Sequence, residues 1–161
     1  METIKVSDEA LRKGAEEGMD GFLQVFIDKY LEVTGGVINA ETMPLLNGYQ
    51  HTLLGYHILR EELNVGGFVQ LIQNGYGPYI FDNPFAKAMR LFGLKDFSKL
   101  IYSAKKIYDE SYPNDAGKYD DDFTDRRNPL NRFVSYHLLE FYGTYNMWNV
   151  TDETIIPNFV R

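Results

Sequence analysis

The chain has 161 residues and no cysteine, which is enough to bury its own core as one domain and excludes disulfides, thiolate metal sites and cysteine nucleophiles. Its 23 acidic residues against 16 basic ones give a net charge of −7. That balance argues against direct binding to nucleic acid or to anionic lipid, while the 15% aromatic content is that of a globular protein.

The first residues carry charges at Glu2, Lys5, Asp8 and Glu9 with no apolar run behind them. They do not read as a secretion signal, so the expected location is the cytoplasm. Thr3–Val6 has strand character. Ser7 suits the N-cap of a helix beginning at Asp8, with acidic residues in the first turn where the helix dipole favours them. Gly14, Gly18 and Gly21 weaken the helix in their neighbourhood and predict a break there. Phe22, Val25, Phe26, Tyr30 and Val33 then recur at helical spacing until Gly35-Gly36. Val37–Ile38 is a second strand signal.

Pro44 suits the first turn of a long helix, whose stripe is Leu46, Tyr49, Leu53, Tyr56 and Leu63. Asn64 reads as the cap of a short helix carrying Phe68, Leu71 and Ile72, and Asn74 to Pro78 as a turn. Asn83-Pro84 is a cap followed by a first-turn proline, ahead of Phe85, Ala88, Met89 and Phe92. Gly93 closes that helix, and Phe97, Leu100, Ile101, Ala104 and Tyr108 mark the next. The stretch Tyr112 to Asp125 is polar, holds five aspartates and reads as a loop. Asn128-Pro129 opens a further amphipathic stripe: Leu130, Phe133, Val134, His137, Leu138, Phe141 and Tyr145. The tail from Asn149 is expected to be extended, with strand character at Thr154–Val160. The prediction is an all-α single domain over 1–161, a bundle of about six helices with irregular or short extended termini. The uncharged stretch from Leu63 to Phe81 holds too many polar and helix-breaking residues for a membrane span.

Little in the sequence points to catalysis. Asp121-Asp-Phe-Thr-Asp125 followed by Arg126-Arg127 resembles the aspartate-rich motif of prenyl-diphosphate synthases, in which carboxylates hold magnesium. The second aspartate motif of those enzymes is missing, so a metal-dependent enzyme or metal-binding protein using Asp121–Asp125 is the alternative reading. His51 and His57 fall on different helix faces, and His137 lies on an apolar stripe. Glu61 and Glu62 are adjacent and do not face one another, which is poor geometry for paired-carboxylate hydrolysis. The aromatic groups around Tyr76, Tyr79, Phe81 and around Tyr102, Tyr108, Tyr112 read mainly as core. No catalytic residue, metal site or cofactor is expected.

The run from Glu61 to Gly77 is more distinctive. Its pattern Asn64-x-Gly66-Gly67-Phe68-x-Gln70, then Asn74-x-x-Gly77, is similar to the signature of the DNA-mimic protein family. These small helical bacterial proteins, formerly a domain of unknown function, are named for a member that mimics double-stranded DNA. Physically, Asn64 would cap a helix and the glycines would allow close approach. Phe68 would fill the core, while Gln70 and Asn74 would bond main-chain groups of the neighbouring turn. These seven residues read as a structural motif, a tight helix–helix corner. The resemblance implies a non-enzymatic acidic protein-binding module that occupies the DNA-binding surface of a transcription factor or other basic protein. The bland alternative is a helical interaction module.

Charge is unevenly placed. Residues 1–34 carry a net −4, residues 81–113 a net +2 and residues 114–161 a net −3. Carboxylates three or four positions apart on a helix lie about 5–6 Å from one another, near enough to stand for successive phosphates. Glu16, Glu17 and Asp20 meet that spacing, as do Asp28 and Glu32. Asp115, Asp120, Asp121, Asp122 and Asp125 form a second acidic cluster. Together these ten are the candidate binding face, and a homodimer that joins two such faces is one way to lengthen it. The expected partner is a protein, a DNA-binding regulator, with no nucleic acid and no membrane bound directly.

Overall fold

The computed structural model describes residues 3–111. These are all-α, with six α-helices and a single 3-10 turn. They fall into two compact units, 3–54 and 55–111. The aspartate-rich loop, Asn128-Pro129, the stripe from Leu130 to Tyr145 and the strand expected at Thr154–Val160 lie outside the described residues.

In the first unit, α1 (Asp8–Glu16) starts where Ser7 accepts a hydrogen bond from the Ala10 amide at 3.2 Å. It ends at Glu17, and Gly18 turns the chain with φ 91° into α2 (Met19–Thr34), which Gly35 closes in the left-handed conformation. The two helices are in backbone contact: a Cβ on Gly14 would sit 2.7 Å from the Gly21 carbonyl oxygen. Phe26, Ile27 and Tyr30 of α2 are buried.

Among the described residues there is no strand, so Thr3–Val6 and Val37–Ile38 do not become strands here. Strand propensity needs a ladder partner to act on, and Val37–Ile38 instead enters a side-chain-tied turn. There Thr42 donates to the Val37 carbonyl at 2.6 Å, and the Thr42 amide donates to Asn39 Oδ1 at 3.0 Å. Pro44 is also not in the long helix. It lies in the 3-10 turn Met43–Leu45, and α3 (Gly48–Gln73) begins after Asn47. Asn47 Oδ1 accepts from the Gln50 amide at 2.9 Å, while Gln50 Oε1 accepts from the Asn47 amide at 2.8 Å. This reciprocal capping box outcompetes the proline as a start signal. Leu46 therefore precedes the helix, though it is buried, and Tyr49 is exposed.

In the second unit, α3 is interrupted at Gly66 (φ −148°) and Gly67 (φ 71°, ψ −166°). Asn64, expected to cap the following segment, is an exposed residue ahead of the break. The break falls where only glycine takes the required backbone, not at the polar residue. Phe68, Leu71 and Ile72 beyond it are buried as expected. The turn at Asn74–Tyr76 leads to a short helix not foreseen, α4 (Gly77–Phe81), whose Tyr79, Ile80 and Phe81 are buried. Asn83 does not cap the next helix. Its Nδ2 donates to the Pro78 and Tyr79 carbonyls at 3.1 and 3.2 Å, tying off α4. Next come α5 (Phe85–Leu91) and α6 (Lys95–Ser111). Gly93, at φ 86°, and Leu94 close α5 by donating to the carbonyls of Arg90 and Met89.

Aromatic rings hold this unit together. Phe68 lies 5.7 Å from Phe81, Phe81 stacks on Tyr108 at 4.7 Å, and Phe85 meets Phe97 edge-on at 6.2 Å. The buried Ser98 hydroxyl donates to the Ala86 carbonyl at 2.6 Å and joins α6 to α5. Among the described residues no helix is long and apolar enough to cross a membrane.

Candidate functional site

The candidate acidic residues in and between α1 and α2 are all exposed: Glu16, Glu17, Asp20, Asp28 and Glu32. They do not form one helical row. Glu16 ends α1, Glu17 is its C-cap, and Asp20 sits in the first turn of α2 beyond Gly18. The helical spacing assumed for these three is therefore lost at the glycine turn. Carboxylates at the end of α1 meet the negative pole of its dipole, whereas Asp20 meets the positive pole of α2.

Asp28 and Glu32 do lie on one helix at i, i+4. Asp28 accepts from the neutral Gln24 Nε2 at 2.8 Å. Glu32 pairs with Lys29 at 2.7 Å, which offsets part of its field. Asp115, Asp120, Asp121, Asp122 and Asp125 lie outside the described residues.

The Asn64–Gly77 motif builds a defined feature. Glu62, on the helix before the corner, accepts at one oxygen, Oε2, from Gln70 Nε2 at 2.9 Å and from Asn74 Nδ2 at 2.8 Å. Gln70 and Asn74 thus bind a carboxylate rather than the main chain expected for them. The corner makes this possible. At Gly66 a Cβ would lie 2.7 Å from the Gln70 Cβ, so a side chain there would push Gln70 off the carboxylate. Gly67 supplies the positive φ, Phe68 anchors the corner in the core, and Gly77 opens α4. Sequence reasoning misses Glu62 as part of this feature because the partners lie on either side of the Gly66–Gly67 break. The polar order Gln70-x-x-x-Asn74, one helical turn apart, is the signal that could have found it.

Other chemistry-bearing groups are accounted for among the described residues. No group of three or more His, Asp or Glu side chains there is placed to hold a metal ion. His51 Nε2 lies 2.7 Å from the Met43 carbonyl, a bond that fixes the 3-10 turn. Tyr79, Phe81 and Tyr108 are core, as expected, while Tyr102 is exposed. Lys105 bridges Asp82 at 3.4 Å and Asp109 at 3.1 Å. Burial lowers its pKa, but the hydrogen bonds and charge of Asp109 and Asp82 outweigh that and raise it. The remaining basic residues of α5 and α6, namely Lys87, Arg90, Lys95, Lys99 and Lys106, are exposed. What this arrangement can do is attract cationic groups through its exposed and hydrogen-bonded carboxylates.

Comparison with known proteins gives a family model described as DMP19-like protein, which matches residues 44–146. The chain is also similar to the DNA mimic protein DMP19 of Neisseria meningitidis serogroup B, at 39% identity over 88 residues. That alignment covers 55% of this chain and 53% of the relative, so the chain spans about half the length of the relative it matches. No solved structure matches.

Proposed function

This chain belongs to the DMP19-like protein family, and on that premise we propose that it is a non-enzymatic acidic binding module that acts as a DNA mimic. It occupies the DNA-binding surface of a basic regulator in the cytoplasm and blocks access of the duplex. The observation that carries this reading is the 39% identity to a protein named as a DNA mimic. The exposed carboxylates of α1 and α2 and the net charge of −7 support it.

DNA presents one negative charge per about 1.7 Å of axis, a density that scattered surface acids do not reach. Charge must therefore be gathered. Asp28 and Glu32 supply helical spacing, the acids flanking Gly18 add a cluster, and a homodimer joins two faces. Binding of this kind is steered by long-range attraction and weakens as salt screens it.

The test is competition. The full chain is titrated into a labelled duplex bound to a candidate basic transcription factor, at low and at physiological salt. Displacement at low salt that fades as salt rises is expected. Reversing Glu16, Glu17 and Asp20 to lysine, or Asp120, Asp121 and Asp122 to lysine, separates the two acidic clusters. At least one set must abolish displacement while circular dichroism stays unchanged. Displacement that survives salt and both reversals refutes the reading, as does its absence with every basic partner tried.

A further inference from the structure

The chain carries a second surface of opposite chemistry, in the first unit. The segment Thr3–Val6 has the composition of a strand but, among the described residues, no strand to pair with. Burial alternates along it as in a strand: Ile4 is buried at 8% exposure, while Thr3 and Lys5 on either side are exposed. Among the described residues no hydrogen bond engages its backbone. Beside it runs a groove of about 270 Å³, whose walls are Ile4 and Lys5 of this segment, Val33 of α2, and Pro44 and Leu45 of the 3-10 turn. Val33 and Leu45 are 39% and 41% exposed, so the apolar wall is open to solvent.

The rim is cationic. Lys29 and Glu32 both line the groove and neutralise one another at 2.7 Å. Among the described residues no carboxylate pairs with Lys5. An apolar trough with one uncompensated ammonium therefore lies inside a segment, residues 1–34, of net charge −4. A basic occupant would meet that lysine unpaired, whereas an acidic one pairs with it.

We propose that Thr3–Val6 is an open strand edge that takes up an extended peptide of alternating apolar and acidic side chains. The peptide backbone completes the ladder that Thr3–Val6 lacks among the described residues, which is recognition by strand addition. Its apolar side chains enter the groove against Val33 and Leu45, and a carboxylate meets Lys5. This surface is independent of the mimic reading, since it selects an acidic occupant and the mimic face a basic one.

The probe is a fluorescein-labelled, end-capped peptide of three Glu-Val repeats, titrated into the full chain and read by anisotropy. Saturable binding is expected, with slowed hydrogen exchange at the amides of Thr3–Val6. Lys5→Glu and Leu45→Asp each change an exposed residue and are expected to weaken binding tenfold or more. Methylating alternate peptide nitrogens, which removes the ladder donors, should abolish it. Three results overturn the proposal: no saturation at millimolar peptide, equal binding of a Lys-Val repeat, or equal binding of the methylated peptide. A fourth is a dimer of the chain, seen in sedimentation, that Leu45→Asp dissociates, because the groove would then belong to a second copy.

Discussion

Phe68→Ala tests whether the motif is a packing device. Phe68 is 2% exposed, directly follows the Gly66–Gly67 corner, and lies 5.7 Å from Phe81, which in turn stacks on Tyr108 of α6. Removing the ring leaves a cavity at the point where α3, α4 and α6 share one aromatic cluster. Buried Phe→Ala changes cost about 3–5 kcal/mol, against a total stability of roughly 5–15 kcal/mol for a domain. With a urea slope of about 2 kcal/mol per molar, a loss of about 4 kcal/mol lowers the midpoint by roughly 2 M. Urea denaturation followed by far-UV circular dichroism measures it. Val65→Ala, three residues earlier and 72% exposed, is the control and should stay within about 0.5 kcal/mol. A Phe68→Ala change as small as the control refutes the packing argument and makes Phe68 a contact residue for a partner.

Gly67→Ala forces an L residue into φ 71°, ψ −166°. The expected cost is about 1–3 kcal/mol by thermal denaturation, and a neutral result means that the corner relaxes without loss. The Lys105 bridge gives a pH dependence. Its pKa is raised above 10.5 in the folded chain, so its contribution is present below that pH and disappears as pH climbs through the folded value. Since the pair is partly exposed, no more than about 1 kcal/mol is involved. Lys105→Met should flatten the stability profile above pH 10.5, and an unchanged profile rules the bridge out as its source.

Most of the helical plan was legible in the sequence because it rests on local rules. Ser7 caps α1, Gly35 closes α2 and Gly93 closes α5, each through a backbone or side-chain requirement that a few residues state in full. The misplacements have a common cause. Pro44, Asn64 and Asn83 are each residues with two lawful uses, and hydrogen bonds chose for Pro44 and Asn83 while the backbone of Gly67 chose for Asn64. Asn83 ties off α4, Pro44 sits in a turn fixed by His51, and Asn64 yields the break to Gly67. The clasp on Glu62 was the least legible feature. It joins residues across the kink in α3, so no periodicity reveals it, and only the unusual order of glycines and amides marked the stretch.

The clasp also bears on where the proposed mimicry would reside. The family match covers residues 44–146 and leaves out α1 and α2, so the carboxylates from Glu16 to Glu32 belong to the part of the chain that the family model does not match. Among the described acids within the match, Asp82 and Asp109 share Lys105, and their field is partly cancelled. Glu62 differs. Its two partners are neutral amides, which order the carboxylate without discharging it. A carboxylate already held in one geometry has less side-chain freedom to lose when a guanidinium or ammonium arrives, so more of the attraction is retained as affinity. A phosphate in a duplex is held in the same sense, by its backbone. On the proposed reading, affinity depends on how many charges are fixed as well as on how many there are. In this chain that sets Glu62, ordered by residues of the motif itself, beside Asp28, ordered by Gln24, and apart from Glu32, whose charge Lys29 offsets.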